Sequence, residues 1–325
     1  MKDKILRLLK SSDDYISGEE ISRKLGVTRA AVWKVISKLK EEGYQFDSVT
    51  NRGYRLKFSP DILTSAEITP YLTTEKIGRK IYFYSVTDST NQCARIESEN
   101  GAPDGSLFIA EEQTAGRGRL GKSWNSAPGT GIWMSLLLRP DVRPEEITQI
   151  TLLAGLSVCH AINDITGLTV KIKWPNDIVI HGKKICGILT EMSAEVDQIN
   201  CLICGIGVNV NIEKFPNEIK DIATSIAIEN GKKLPRAKIA AEIMNYFEKD
   251  YFRFINEGVT ENFLKEYKDN CITINKKIKA IQNGKEIFGT AIDITKKGEL
   301  VIQTETEQMV LSSGEVSVRG LLGYV

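Results

Sequence analysis

Over the first 60 residues the apolar positions recur at helical spacing. Ile5, Leu8 and Leu9 mark one helix, Ile21 and Leu25 a second, and Val32, Ile36 and Leu39 one face of a third over residues 29–42. Polar punctuation falls where such helices need it. Ser17 stands as N-cap of the second with Glu20 in the capping-box position, Thr28 caps the third, and Gly26 and Gly43 close them. Only Gly26-Val27-Thr28 separates the second helix from the third, the tight turn of a helix-turn-helix. Alternation over residues 45–49 and 54–58, around Thr50-Asn51-Arg52-Gly53, predicts a hairpin with an arginine at its tip. Together these read as a winged helix that ends at Ser59-Pro60-Asp61.

From residue 80 onward the period changes. Strands are expected at 80–84, 106–111, 132–138, 171–174, 178–181, 184–192 and 201–210, with a long apolar helix over 145–164. Residues 236–256 return to helix, with Ile239, Ile243, Phe247 and Tyr251 stepping by fours. The stretch 272–325 reads as strands alone, at 277–282, 286–293, 300–304, 307–311 and 315–319. Turns at Asn283-Gly284 and Lys297-Gly298 punctuate it, and its length suits a small barrel.

Composition adds bounds. At 325 residues the chain has room for two or three domains, and 42% hydrophobic with 26% charged residues is ordinary for a soluble protein. No apolar run approaches the ~20 residues that span a bilayer, and the N-terminus reads as an amphipathic helix, not a signal peptide. A cytoplasmic location is expected. The cysteines Cys201 and Cys204 have C-x-x-C spacing, but in a strand they point to opposite faces. Neither His160 nor His181 stands at a spacing that completes a metal site with them, so reduced core cysteines are expected.

Charge is unevenly spread. Residues 1–60 hold 13 Lys/Arg against 8 Asp/Glu, a balance of +5, leaving −4 for the rest of a chain of net charge +1. A basic winged helix on an otherwise acidic protein points to a polyanion for that domain alone. On the third helix Arg29, Ala30, Ala31, Lys34 and Lys38 would meet the major groove or flanking phosphates, the two alanines admitting base edges. Arg52 would reach an adjacent groove or phosphate. The plainer alternative is a helical protein-interaction domain.

The densest chemistry lies in Gly116-Arg117-Gly118-Arg119-Leu120-Gly121-Lys122-Ser123-Trp124. Glycine permits close backbone approach and arginine offers a planar fork of donors, so the segment reads as a mobile loop closing on an anionic ligand. The spacing also fits a dinucleotide fingerprint, but that motif needs a helix to begin inside the glycine run, and Asn125-Ser126-Ala127-Pro128-Gly129 breaks helices. A solvated basic loop is the third reading. A second pair, Gly205-Ile206-Gly207-Val208-Asn209-Val210-Asn211, reads as a buried strand ending in a polar rim.

Further polar groups stand at strand ends. Ser89-Thr90-Asn91 offers two hydroxyls and an amide, Gln113 precedes the glycine-arginine loop, and Lys173-Trp174-Pro175-Asn176-Asp177 joins two strands before Lys183-Lys184. Each has an ordinary reading: a helix cap, a turn after proline, a solvated lysine pair.

In order and spacing these motifs resemble the bifunctional biotin–protein ligases that also repress biotin genes. The match runs through Ser89-Thr90-Asn91, residues 113–121, Trp124, residues 173–177, Lys184-Ile185-Cys186-Gly187-Ile188-Leu189 and Gly205-Ile206-Gly207-Val208-Asn209, and it includes the winged helix. One departure is Lys122, where arginine is frequent. The resemblance implies an α+β chain: a winged helix-turn-helix DNA-binding domain at 1–60, a mixed-sheet catalytic domain of the biotin/lipoate-ligase kind at 61–271, and an SH3-like barrel at 272–325.

It also implies ATP and biotin as substrates with Mg2+, giving biotinyl-5'-AMP and pyrophosphate, then transfer to a lysine of a biotin carboxyl carrier protein. Biotin's neutral urea calls for uncharged partners, which Ser89, Thr90, Asn91 and Gln113 supply; Arg117, Gly118, Arg119 and Lys184 complete its expected site. By the same resemblance Lys184, Arg117 and Arg119 are the expected catalytic cations. Arg119, Lys122, Trp124, Asn176 and Asn209 are expected at the nucleotide and Asp177 at the metal. Trp124 reads equally as pocket wall or core. The base for the transfer step stays open between a carboxylate and a deprotonated minor fraction of the lysine. Operator DNA and a ligand-promoted homodimer, joined at open edges of the sheet, are the expected partners. The rivals are a regulator that only senses its ligand and a lipoate ligase of the same fold.

Overall fold

The computed structural model describes residues 1–50, 52–194, 199–282, 285–312, 316–320 and 324. At the N-terminus α1 (Lys2–Lys10), α2 (Gly18–Leu25) and α3 (Arg29–Glu41) enclose Ile5, Leu6, Leu9, Ile21, Val32, Ile36 and Leu39. Ser17 Oγ accepts the Glu20 amide at 3.0 Å, Thr28 Oγ1 accepts the Ala31 amide at 3.2 Å, and Gly26 turns the chain at φ 66°. The Glu20 carboxylate turns to Lys24, 2.8 Å away and one turn on, where a capping box would have it reach back. Strands β1 (Gln45–Val49) and β2 (Gly53–Phe58) form the antiparallel wing; Asn51 of its tip lies outside the described residues.

The segment after the wing is not a loose connection. Glu67 of α4 (Ser65–Ile68) is buried and pairs with Lys10, while accepting the Tyr44 hydroxyl at 2.8 Å. Asp61 is clamped by fully buried Arg236, whose Nε lies 2.9 Å from Asp61 Oδ2 and whose Nη1 lies 2.8 Å from Glu111 Oε2. Glu111 Oε1 in turn accepts the Leu63 amide at 2.7 Å. A buried arginine is stable only with its charge and donors matched in this way.

The centre of the molecule is a mixed sheet. Its strands are β3 (Ile81–Thr87), β4 (Ser106–Gln113), β5 (Gly131–Leu138), β6 (Lys171–Lys173), β7 (Asp177–Ile180), β8 (Lys183–Ala194) and β9 (Ile199–Asn209). They lie in the order β3-β4-β5-β9-β8-β7-β6, with β3 parallel to β4 and the other pairs antiparallel. Helix α5 (Thr90–Glu99) covers one face through Ala94, Phe108 and Leu137. Helices α6 (Ile147–Thr166) and α8 (Arg236–Glu257) cover the other, with α7 (Ile226–Asn230) and α9 (Glu261–Asn270) beside them. Cys201 joins the first of these cores and Cys204 the second, as strand alternation requires. Helix α6 starts and ends two residues later than its apolar pattern predicts, because residues 144–146 form a tighter turn and Gly167, at φ 73°, supplies the stop.

The C-terminal strands β10 (Lys277–Gln282), β11 (Lys285–Ile294), β12 (Leu300–Gln303), β13 (Gln308–Leu311) and β14 (Val316–Gly320) form an antiparallel sheet in the order β13-β12-β11-β10-β14. Pairing of β13 with β14, which would close the expected barrel, is not among the described pairs. The predicted turn at 283–284 and the strand start at 315 lie outside the described residues. The turn at Lys297-Gly298 docks on the central domain, where Gly298 O accepts Trp174 Nε1 at 2.9 Å.

Candidate active site

The strand ends that carry the polar motifs meet around one cavity of about 660 Å³. Every expected small-ligand residue lines it: Ser89, Thr90, Asn91, Gln113, Arg117, Gly118, Arg119, Lys122, Trp124, Asn176, Asp177, Lys184 and Asn209. A volume of this size suits a ligand of cofactor dimensions.

Its floor is neutral and already hydrogen-bonded. Gln113 Oε1 accepts the Thr90 amide at 2.8 Å and the Thr90 hydroxyl at 3.1 Å, and Gln113 Nε2 donates to Ser126 Oγ at 2.9 Å. Fully buried Ser135 of β5 lies 2.7 Å from Thr90 Oγ1 and 2.6 Å from Asn91 Oδ1, and Asn91 Nδ2 donates to Glu191 Oε2 at 2.7 Å. Ser89 occupies the N-cap position of α5, yet its side chain makes no capping bond and stands at the cavity. A helix-cap reading therefore does not account for it. The glycines of β9 are what let this floor close. A Cβ at Gly205 would lie 2.3 Å from Asn91 Oδ1, and one at Gly207 would lie 2.8 Å from Trp124 Nε1.

The rim is the glycine-arginine segment, folded as a small hairpin by its own backbone. Gly118 N donates to Lys122 O at 2.7 Å, Trp124 N to Gly116 O at 2.8 Å, and Arg117 bridges Ser123. No α-helix begins in the glycine run, only a three-residue turn at 119–121, so the dinucleotide reading is excluded by the path of the chain. At the tip Leu120 takes φ 56° and is 66% exposed, an unfavourable backbone for a branched residue and an unfavourable place for an apolar one. Arg117 and Lys122 are exposed, whereas Arg119 is half-buried and donates to Asn176 Oδ1 at 3.0 Å. Burial pulls the Arg119 guanidinium down from its usual value, opposed by the Asp177 charge.

Between floor and rim stands a set of charges. Lys184 Nζ lies 2.5 Å from Asp177 Oδ1, an ion pair whose angles fall outside those of a hydrogen bond, and 5.1 Å from the Trp124 ring. The Lys184 backbone is fixed by Ile222 O and Thr224 N. Asn176 is fixed too, donating Nδ2 to Ile188 O at 2.9 Å. Trp124 lines the cavity, and its buried Nε1 has no hydrogen-bond partner among the described atoms. That open donor separates a pocket wall from a satisfied core tryptophan. Asn209 is buried in the cavity lining, its Nδ2 donating at 3.2 Å to the carbonyl of Thr224, the residue whose amide bonds Lys184 O.

On the winged helix Arg29, Ala30, Lys34 and Lys38 are exposed along α3, and Ala31 is half-buried beside its cap. Arg52 folds back, with Nη2 3.3 Å from Asp14 and its guanidinium 4.5 Å from the Tyr15 ring centroid. Sequence reasoning missed Ser135, Glu191, Tyr324 and Arg236, each defined by partners far along the chain. It also missed Trp33, which is 64% exposed on the α3 face that carries Lys34. Here a signal existed: an apolar residue off the stripe of Val32, Ile36 and Leu39.

Comparison with known proteins bears on the same regions. An HTH domain matches over residues 2–55, the Biotin/lipoate A/B protein ligase family over 82–209, and the Biotin protein ligase C terminal domain over 273–319. The bifunctional ligase/repressor BirA of Bacillus subtilis is 40% identical over 98% of both chains, and that of Escherichia coli is 28% identical over 97% of this chain and 96% of its own. A crystallised biotin protein ligase from Aquifex aeolicus, in complex with biotin and ATP, superposes with a TM-score of 0.66 at 31% identity, covering 74% of this chain and 99% of that one. With the N-terminal, central and C-terminal regions all matched and a full-length relative 40% identical, the chain belongs to the bifunctional biotin ligase/repressor family.

Proposed function

We propose that this chain joins biotin to ATP, giving biotinyl-5'-AMP and pyrophosphate, passes the biotinyl group to a lysine of a biotin carboxyl carrier protein, and represses transcription in response to biotin. The observation that carries the reading is one cavity with a neutral, internally bonded floor at Ser89, Thr90, Asn91 and Gln113 and cations at its rim. The floor suits a urea, which offers one acceptor and two donors and no charge. The rim suits phosphates.

Biotin's carboxylate is ionised at neutral pH, so the first step needs no general base. It needs two anions brought together and their charge offset. Lys184, held by Asp177 between floor and rim, is placed to do this. Arg119, steered by Asn176, and Arg117 and Lys122 on the hairpin would hold the adenylate and the leaving pyrophosphate, with Gly118 allowing close approach. Trp124 offers its ring and a free N–H to the ligand, and Asn209 approaches the nucleotide side. Mg2+ usually takes one or two carboxylates plus substrate phosphates. Asp177, whose buried Oδ1 makes no hydrogen bond and meets the Lys184 ammonium at 2.5 Å, is the single carboxylate lining the cavity among the described residues and would be the one to hold the ion, its carboxylate shared with Lys184. The ion would supply charge offset at the phosphates.

For the second activity, α3 would enter the major groove with Ala30 at base edges, Arg29, Lys34 and Lys38 at phosphates, and Trp33 in apolar contact with a thymine methyl group. Arg52 would leave Asp14, an exposed pair of little strength, for a phosphate. One winged helix makes few contacts, so two copies on a two-fold site are expected, with biotinyl-adenylate promoting the dimer. Of the outer strands β6 is already bonded by Ile272. The outer edge of β3 and the end of β8 that runs past β7 are the open contacts. We divide the chain at 1–60, 61–271 and 272–325.

The test is transfer: incubation with biotin, ATP and a carrier domain should add one biotinyl mass to one carrier lysine, and a carrier left unmodified would refute the ligase. Sedimentation and operator binding, each with and without biotin plus ATP, test the repressor. A dimer constant unmoved by ligand would refute ligand-driven assembly.

A further inference from the structure

Tyr324 comes from beyond the C-terminal sheet and past residue 319, where the last family match ends, yet it lines the catalytic cavity. Its hydroxyl donates to Asp177 Oδ2 at 2.5 Å, and Lys173 Nζ stands 3.4 Å from its ring centroid. Lys173 is buried, and an ammonium out of water needs compensating partners, of which the face of an aromatic ring is one. The phenol thus touches the anion that holds Lys184 and the neighbouring buried cation at once.

We propose that Tyr324 is a positioning residue for adenylate formation: it holds the Asp177 carboxylate in one orientation and so fixes where Lys184 presents its charge. A carboxylate turns about its last side-chain bond through a broad well, so a single ion pair does not set its plane. A hydroxyl donor on one oxygen together with the ammonium against the other does. With Tyr324 on Oδ2, only Oδ1 faces Lys184. Without the hydroxyl, Oδ2 is left without its donor and the carboxylate can turn both oxygens to Lys184, drawing the ammonium out of the cavity. The chain beyond the C-terminal sheet thereby contributes a side chain to the active site.

This inference rests on the ligase reading, and the experiment separates the two. Biotin-dependent pyrophosphate–ATP exchange is measured on the full chain, on Tyr324→Phe and on Tyr324→Ala, with biotin titrated separately in the absence of ATP and thermal midpoints recorded. Tyr324→Phe should slow exchange about tenfold, within the range for a buried acceptor that loses its donor. Its biotin affinity should stay within twofold and its midpoint fall by no more than a few degrees, with the chain still fully folded at the assay temperature. Tyr324→Ala, which also uncovers Lys173, should be slower still and show a raised KM for ATP. Exchange by Tyr324→Phe equal to the unsubstituted chain would overturn the proposal, as would biotin affinity falling in step with exchange, or exchange rising. If Tyr324→Ala fails to fold, Tyr324→Phe decides alone. No biotin-dependent exchange in the unsubstituted chain would instead overturn the ligase reading, and this inference with it.

Discussion

The floor and the rim of the cavity are built by opposite means. The floor takes its side chains from α5, β4 and β5, buries them, and bonds them to one another before any ligand arrives. The rim is a hairpin held mainly by its own backbone, with exposed Arg117 and Lys122 and a strained, solvent-facing Leu120 at its tip. The difference follows from what each must bind. A neutral ligand is recognised only by donors and acceptors already in place, since every unmatched pair costs ~1–3 kcal/mol. An anion attracts cations over a distance, and a loop that closes afterwards can exclude water and strengthen the attraction.

The sharpest way to break this division is Lys184→Ala. Removing the charge where the anions meet should slow adenylation on the order of 10²–10³-fold, while biotin binding by titration changes little. A single-turnover rate within a few-fold of the unsubstituted chain would make Lys184 a structural lysine. Next in size is Ser135→Ala on the floor. It leaves Thr90 and Asn91 without their shared partner and should weaken biotin by roughly 5–150-fold, with KM for ATP held constant. A loss shared equally by both substrates would mean the floor and rim are one unit. Arg119→Ala should release bound adenylate about tenfold faster in a chase experiment, the effect of losing one charge-assisted contact. The smallest effect belongs to Leu120→Gly, which relieves the positive φ. It should leave biotin affinity unchanged and shift adenylation by less than about threefold, since the strain sits in a solvent-facing tip residue and is relieved locally, without moving the floor. A large loss there would mean that the leucine side chain itself contacts the ligand.

How far the sequence carried can be read from the same two regions. The helix-turn-helix was legible because Ser17, Gly26 and Thr28 act on neighbours a few residues away. The hairpin's chemistry was legible because its cations are contiguous. The floor was legible only in part. Ser89, Thr90, Asn91 and Gln113 stand in recognisable motifs, but Ser135 lies in an apolar strand, and its role appears only when β5 is set beside α5. Arg236 and Tyr324 are further cases, since their partners at Asp61, Glu111 and Asp177 are fixed by tertiary structure alone. The glycine-arginine segment, read from its glycines as a mobile loop, follows a tight hairpin path, which alternating glycines also suit.

The central claim is that the floor reads a urea while the rim handles phosphate. Pyrophosphate–ATP exchange with biotin and lipoate in direct competition tests it at once. Biotin should support exchange and lipoate should neither support nor inhibit it at equal concentration, because an apolar dithiolane leaves Ser89, Thr90, Asn91 and Gln113 unmatched. Exchange driven equally by lipoate, or by neither acid, would contradict the account.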